Sequence, residues 1–383
     1  MLTKNIKFIN FKKEKVNQKK INKLKNINWL QKFPLLSSYC DNYKYSYSRK
    51  YVKNLRKYKI FRIIGMGGSV LGTRAIYDFL RDKVKKKFVF LDNLKPKVVN
   101  KESAVNLIIT KSGETLETIS NFYILNKKKQ KKNIFITEHK ESYATRLAQN
   151  IKADLIEHKN YIGGRYSVLS EVGMLPAELM GLNERKFKQF NKLINNKNFL
   201  HSLIINVDVI LNLIKKGKFH SIIINYDENS DNLFRWYQQL ISESLGKKSK
   251  GLLPLISSMP KDNHSLLQYY LDGSKKNFYT FFNVDNYNTE VLPNNILKSK
   301  FYLRNKKLSY ILKAQSDASQ NIFRKKKLPD RSFRILKRNE ETIGTLFTFF
   351  VLETILIGKA LKVNPFDQPS VELIKRETKK LIS

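Results

Sequence analysis

The sequence predicts an α/β fold with two mostly parallel sheets. Three observations carry that expectation. Short apolar runs alternate with helix-like stretches from residue 58 onward, glycine- and hydroxyl-rich turns directly follow two of those runs, and a second series of the same kind begins near residue 200. Short apolar runs bounded by helices are the pattern of parallel strands with both faces covered.

Taken in order, the first 50 residues read as polar, lysine-rich helix and loop. "YKIFRIIG" (58–65) reads as a strand and "LGTRAIYDFLRD" (71–82) as a helix; "FVFL" (88–91) and "VNLIIT" (105–110) read as strands. "LETISNFYILN" (116–126) is a helix, "NIFIT" (133–137) a strand and "SYATRLAQN" (142–150) a helix, which makes one doubly wound unit. In the second series the strands are "SIIINYD" (221–227), "GLLPLISS" (251–258), "NFYTFFNV" (277–284) and "SFRILK" (332–337). Helices are expected over 230–245, near 265–272, over 304–323 and over 341–360. The expected division is residues 1–195, an N-terminal region with the first domain, and 196–383, the second domain with a C-terminal helix.

Composition narrows the function classes. The chain has 383 residues, of which 42% are hydrophobic and 12% aromatic, enough for a large core. A single cysteine, Cys40, permits no intramolecular disulfide and suits a reducing, cytoplasmic compartment. No secretory signal is expected, because "MLTKNIKFINFKKEKVNQKK" has charges throughout and no apolar region. "TIGTLFTFFVLETILIG" (342–358) is interrupted by Glu353 and reads as a buried core helix, not a membrane span. The formal net charge of +41, from 73 Lys+Arg against 32 Asp+Glu, raises nucleic acid as a partner. The distribution argues against it: "KVKKK" (83–87), "KKKQKK" (127–132) and "RKKK" (324–327) fall between elements, and Lys greatly exceeds Arg. Solvated surface charge that steers anionic substrates is the better reading.

Two turns carry the chemistry of the first domain. "GMGGSVLG" (65–72) ends a strand and opens a helix, so Gly67 and Gly68 admit a close ligand and Ser69 can donate. It lacks the spacing of a dinucleotide fingerprint and the GK[ST] of a P-loop, which disfavours a nucleotide. "TKSGETLET" (110–118) sets Thr110, Lys111, Ser112 and Thr115 at another strand-to-helix junction. A helix cap would account for one hydroxyl there; a phosphate cradle accounts for the hydroxyls and the ammonium together. Both turns belong at the carboxyl ends of strands, where open α/β sheets bind ligands.

Three further stretches supply charge. In "GGRYSVLSEVGMLP" (163–176), two glycines precede Arg165, a guanidinium suited to an oxyanion. On the helix 230–245, Arg235, Gln239 and Glu243 recur every fourth residue on one face of a mostly apolar helix. Apolar walls beside such a carboxylate push its pKa up, which suits a general base. "KDNHSLLQYYLDG" (261–273) puts His264 at a loop-to-helix junction, and "NPFDQPSVELIKRETKK" (364–380) puts Lys375 on a last amphipathic helix. A lone His is usually structural, and a Lys in this chain usually faces solvent.

In combination, "GMGGSVLG", "TKSGETLET", "GGRYSVLSEVGMLP", "QQLISESLGK", "DNHS" and "NPFDQPSVELIK" resemble the glucose-6-phosphate isomerase family in content and order, from about residue 60 to 376. The resemblance implies two SIS-type (sugar isomerase) αβα sandwich domains with mostly parallel sheets. It also implies a homodimer with shared active sites, a sugar-phosphate substrate and no metal or other cofactor. It implies that Thr110, Lys111, Ser112 and Thr115 hold the phosphate, with Gly67, Gly68 and Ser69 close by and Gln239 touching substrate. Glu243 matches the base, Arg165 the group facing the enediolate, and His264 and Lys375 the ring-opening pair. Ser370 stands where a Gly is usual, and "SMPKDNHS" replaces G-T-D-x-H-S. Turnover of mannose 6-phosphate as well stays open at this stage. A sugar-phosphate sensor would need the cradle but not Glu243.

Overall fold

The computed structural model describes residues 2–11, 28–94, 104–126, 132–285, 289–293 and 302–382. Most of the "KKKQKK" run and of the lysine-rich N-terminal stretch lie outside the described residues.

Among the described residues, ten strands form two five-stranded sheets. The first contains β2 (Ile60–Gly65), β3 (Lys87–Leu91), β4 (Val105–Ile109), β5 (Asn133–Thr137) and β6 (Asp154–Glu157), in the order β3-β2-β4-β5-β6, all parallel. The second contains β1 (Ile6–Ile9), β7 (His220–Asn225), β8 (Leu253–Ser258), β9 (Asn277–Val284) and β10 (Asp330–Ile335), in the order β1-β10-β9-β7-β8. It is parallel except for β1, which runs antiparallel to β10 with Ile6 opposite Ile335.

Side-chain alternation along the strands sorts the core into layers. Ile63, Leu107 and Ile109 of the first sheet and Ile223, Phe282 and Phe333 of the second share one large apolar cluster with Ile76, Leu175, Leu240 and Phe350. The outer face of the first sheet buries Ile64, Ile108 and Phe135 under Phe122 and Ala148. The second sheet's outer face buries Ile222, Ile224 and Phe281 under Phe323. A helical layer is therefore shared between the sheets, and further helices close each outside face.

Glu340–Ala360 runs through that shared layer, buried from Thr342 to Gly358, with Asn339 capping it by accepting from the Thr342 N–H at 2.9 Å. Glu353, the polar break in its sequence, is fully buried against Arg331 of β10, Asn206 and Tyr237. Glu340–Ala360 and Lys197–Lys215 have the length and hydropathy of membrane spans, yet the first of these is almost wholly buried in the fold.

The division expected at residue 195 needs amending. β1 lies in the second sheet, and the short helices Glu184–Phe187 and Phe190–Ile194 pack on Glu340–Ala360. Strand β1 and helix Lys197–Lys215 were not expected, and neither was β6, whose "DLIE" is short and half polar.

Two crossover helices join the domains: Leu71–Phe79 after β2 and Asp231–Leu245 after β7. They run antiparallel, since Asn232 reaches Asp78 while Gln239 lies at Gly67. That pairing carries the end of the second helix to the glycine turn of the first domain.

Candidate active site

In the first sheet the chain leaves β2 to form β3 on one side and, later, β4 on the other. The switch point of the topology thus lies between β2 and β4, where doubly wound sheets bind ligands at their carboxyl ends. Gly65 and Ile109 are register partners, so the turns that follow them leave the sheet side by side.

Gly67 adopts φ +52°, and a Cβ there would sit 2.7 Å from Gln239 Nε2. A Cβ on Gly68 would sit 2.3 Å from the carbonyl carbon of Gly164. Only glycines allow the turn to lie against both the Gln239 amide and the arginine-bearing segment.

Arg165 is the centre of this contact. Its side chain is only 3% exposed. Nε donates to Ser244 Oγ (2.8 Å), and Nη1 donates to Gln368 Oε1 (2.7 Å) and Glu243 Oε2 (3.2 Å). Nη2 donates to the carbonyls of Pro365 (2.7 Å) and Asp367 (3.0 Å). The Arg165 carbonyl in turn accepts from Trp236 Nε1 at 3.1 Å. Tyr166 OH also donates to the Pro365 carbonyl at 2.8 Å, and burial pushes that phenol above its usual range. Lys247 ties Asp367 down from the other side at 2.5 Å.

Glu243 is the partly open member, its side chain 30% exposed. One oxygen takes Arg165; the other accepts from Gln239 Nε2 at 2.9 Å, one helical turn away. The expectation of apolar walls is corrected here: a guanidinium and an amide hold the carboxylate. Gln239 Oε1 and Ser242 Oγ, beside it on the helix, are buried polar atoms with no hydrogen-bond partner among the described residues. Arg235, the third member of the stripe, faces solvent.

The hydroxyl-rich turn departs from the expected cap. Thr115 occupies the N-cap position of Leu116–Leu125, yet its side chain caps nothing; Thr115 Oγ1 shares a 2.8 Å hydrogen bond with Thr110 Oγ1. The first-turn N–H groups are left without a side-chain partner, the arrangement that receives an anion. Ser112 is exposed and accepts from the Glu114 N–H at 3.2 Å. Lys111 donates to the Asn160 carbonyl at 2.8 Å and lies 3.5 Å from Glu138. Burial draws its ammonium below the usual lysine range, against the pull of Glu138. Ser69 closes the short 3₁₀ turn Gly67–Ser69.

Among the described residues, neither member of the expected ring-opening pair hydrogen-bonds to Arg165, Gln239 or Glu243. His264 is exposed at the end of the 3₁₀ turn Lys261–His264. Lys375 lies on Pro369–Ile382, a helix with no buried residue, and pairs with Glu372 at 2.8 Å. A cleft of about 960 Å³ lies elsewhere, beside Tyr226, Asp227, Asn283 and Leu308 at the carboxyl end of the second sheet. None of the expected site residues lines it.

The sequence pattern of phosphoglucose isomerase matches residues 47–259, more than half of the chain and the span that carries both turns, Arg165 and Glu243. The chain belongs to the phosphoglucose isomerase family. The glucose-6-phosphate isomerase of Methanocaldococcus jannaschii is 32% identical over 358 residues, covering 87% of this chain and 88% of that one. In fold, the chain is similar to a hypothetical protein from Thermus thermophilus, with TM-score 0.82, 21% identity and 96% and 95% of the two chains covered. A glucose-6-phosphate isomerase structure from Chlamydia trachomatis aligns with TM-score 0.74 and 16% identity, covering 99% of this chain and 89% of that one. The fold, a pair of SIS-type α/β sandwiches, is shared with that isomerase structure.

Residues that motif reading did not assign surround Arg165. Ser244 and Gln368 hold it, as do two backbone carbonyls, and Tyr166 OH shares a 2.9 Å hydrogen bond with Ser244 Oγ. Ser244 and Gln368 lie within the quoted "SESLGK" and "NPFDQP".

Proposed function

We propose that this phosphoglucose isomerase family member interconverts glucose 6-phosphate and fructose 6-phosphate, as an aldose–ketose isomerase of glycolysis and gluconeogenesis. The observation that carries the reading is the grouping of Arg165, Glu243 and Gln239 against the backbone of Gly67 and Gly68. A fixed cation, a directed carboxylate and close backbone access are what an enediolate reaction asks of a protein.

In this reading Thr110, Lys111, Ser112 and Thr115 hold the phosphate with the uncapped helix behind them, and Ser69 lies beside it. Substrate displaces the waters around Glu243, whose carboxylate takes the proton from C2 of the open-chain aldose. The electron pair moves into C1=C2 and the negative charge onto O1, where Arg165 stabilises it. The O2 hydroxyl proton passes to O1, and Glu243 returns its own proton to C1 as O2 becomes the ketone oxygen and O1 a hydroxyl. Proton transfer of this kind contributes about 10²–10⁴-fold, and a positioned cation adds a few kcal/mol.

His264 and Lys375 are assigned to ring opening. The exposed His264 turn, flanked by exposed Leu266 and Tyr269, supports delivery of His264 into the site of a second copy. The working unit is then a homodimer, acting on a small sugar phosphate in the cytoplasm and needing no nucleic acid or membrane.

An assay following glucose 6-phosphate formed from fructose 6-phosphate by the purified protein tests the activity directly. Absence of product at micromolar protein would overturn it.

A further inference from the structure

The helix that carries Glu243 has a second duty at its other end. Asp231 is its first residue, twelve positions before Glu243, or about 18 Å along the axis at 1.5 Å per residue. Asp231 Oδ1 accepts from Asn225 Nδ2 at 2.6 Å, and Oδ2 accepts from Ser258 Oγ at 2.7 Å. It thereby ties the end of β7 to the end of β8.

Ser258 passes the connection on. Its backbone N–H donates to Asp262 Oδ2 at 2.8 Å, and Asp262 Oδ1 accepts from Ser265 Oγ at 3.1 Å. The Asp262 carbonyl accepts from the N–H groups of Ser265 and Leu266 at 3.3 and 3.0 Å. Asp262 therefore brackets His264, gripping residues on both sides of it. His264 itself is exposed and makes no side-chain hydrogen bond among the described residues. An exposed imidazole on a loop gains a fixed direction only from the turn beneath it.

We infer that Asp262, anchored through Ser258 to Asp231, is a positioning residue that aims His264. One helix then serves two sites: its C-terminal end presents the base to its own chain's substrate, and its N-terminal end steadies the histidine offered to the partner's. This inference rests on the shared-site reading above.

Asp262→Ala is expected to lower kcat on ring-forming substrate by about 10²-fold, the scale of a 1 Å misplacement. Turnover of an aldose phosphate too short to close a ring should fall far less. A purely structural role would lower both together.

Mixing chains locates the defect. A D262A chain mixed with a Glu243→Gln chain forms one intact site in each mixed dimer, combining the first chain's Glu243 with the second chain's His264. Random assortment then returns about a quarter of wild-type activity. A D262A chain mixed with a His264→Ala chain should return nothing, because both defects fall on the same contribution. Recovery in the first mixture also requires the D262A chain to be folded. Wild-type activity of D262A alone, or no recovery with E243Q where H264A recovers with E243Q, would overturn the role of Asp262. Failure of H264A to recover with E243Q would overturn the shared-site reading itself.

Discussion

Arg165 Nη1 and Glu243 Oε2 lie 3.2 Å apart, the guanidinium buried and the carboxylate partly open to solvent. The asymmetry divides the labour between them. Arg165 spends its other N–H groups on Ser244, Gln368 and two carbonyls, so it cannot swing. Among the described residues only Arg165 and Gln239 hydrogen-bond Glu243, and its side chain stays 30% exposed.

Glu243→Gln keeps the shape and removes the basicity. Folding and substrate affinity should survive, while turnover falls by at least about 10³-fold. Exchange of the C2 hydrogen with solvent should fall in parallel. A variant that exchanges this hydrogen at the wild-type rate would sink the assignment of the base.

Arg165→Lys keeps a positive charge but cannot fill a planar fork with five partners. It should lose about 10²-fold or more in kcat and about 3 kcal/mol of stability, because Ser244, Gln368 and the Pro365 and Asp367 carbonyls each lose a charge-assisted hydrogen bond. Kinetics and urea midpoints measure the two losses separately. Wild-type values in both would show that the clamp is dispensable.

The cradle gives a different kinetic signature. Lys111→Ala and Ser112→Ala remove groups assigned to the phosphate, which stays bound before and after the chemical step, so KM should rise more than kcat falls. Inorganic phosphate should compete with substrate, and less effectively in the variants. Unchanged sugar-phosphate affinity in both would mean that the phosphate binds elsewhere.

His158 governs part of the acid stability. It is buried beside the cradle with Nδ1 3.1 Å from the Lys159 carbonyl, and burial lowers its pKa to about 4. The unfolded chain takes up a proton near pH 6.5 that the folded chain refuses until about pH 4. Stability contributed by the neutral imidazole is therefore full above about pH 6.5 and falls as the pH drops, by roughly 3 kcal/mol at pH 4. Chemical denaturation across this range should show that slope, and His158→Gln should flatten it. An identical slope in the variant would assign the titration to another group.

The sequence made the first sheet legible because β2, β4 and β5 are buried on both faces and read as unbroken apolar runs. β1 is different: "IKFI" is an edge strand whose partner lies at the far end of the chain, so no local pattern announces it. In the site, Arg165, Gln239 and Glu243 were legible from glycine context and helical spacing. The carbonyls of Pro365 and Asp367 were not, because a backbone acceptor is the same at every position. His264 and Lys375 were recognisable as residues but not as places. Both are exposed, and nothing in the local sequence pattern says what such side chains meet.

The antiparallel strand β1 has a consequence for how the protein is made. Ile6 leaves the ribosome more than 300 residues before its partner Ile335. Until β10 is made, Ile6 and Phe8 lack their eventual cover. The first sheet has its own contiguous strands and can form early; the second closes only when β1 meets β10. The slowest event in biosynthesis should thus be the docking of β1 onto β10. Deleting residues 1–10 should then leave nascent chains that emerge normally but mature poorly, with β10 exposed as a sticky edge.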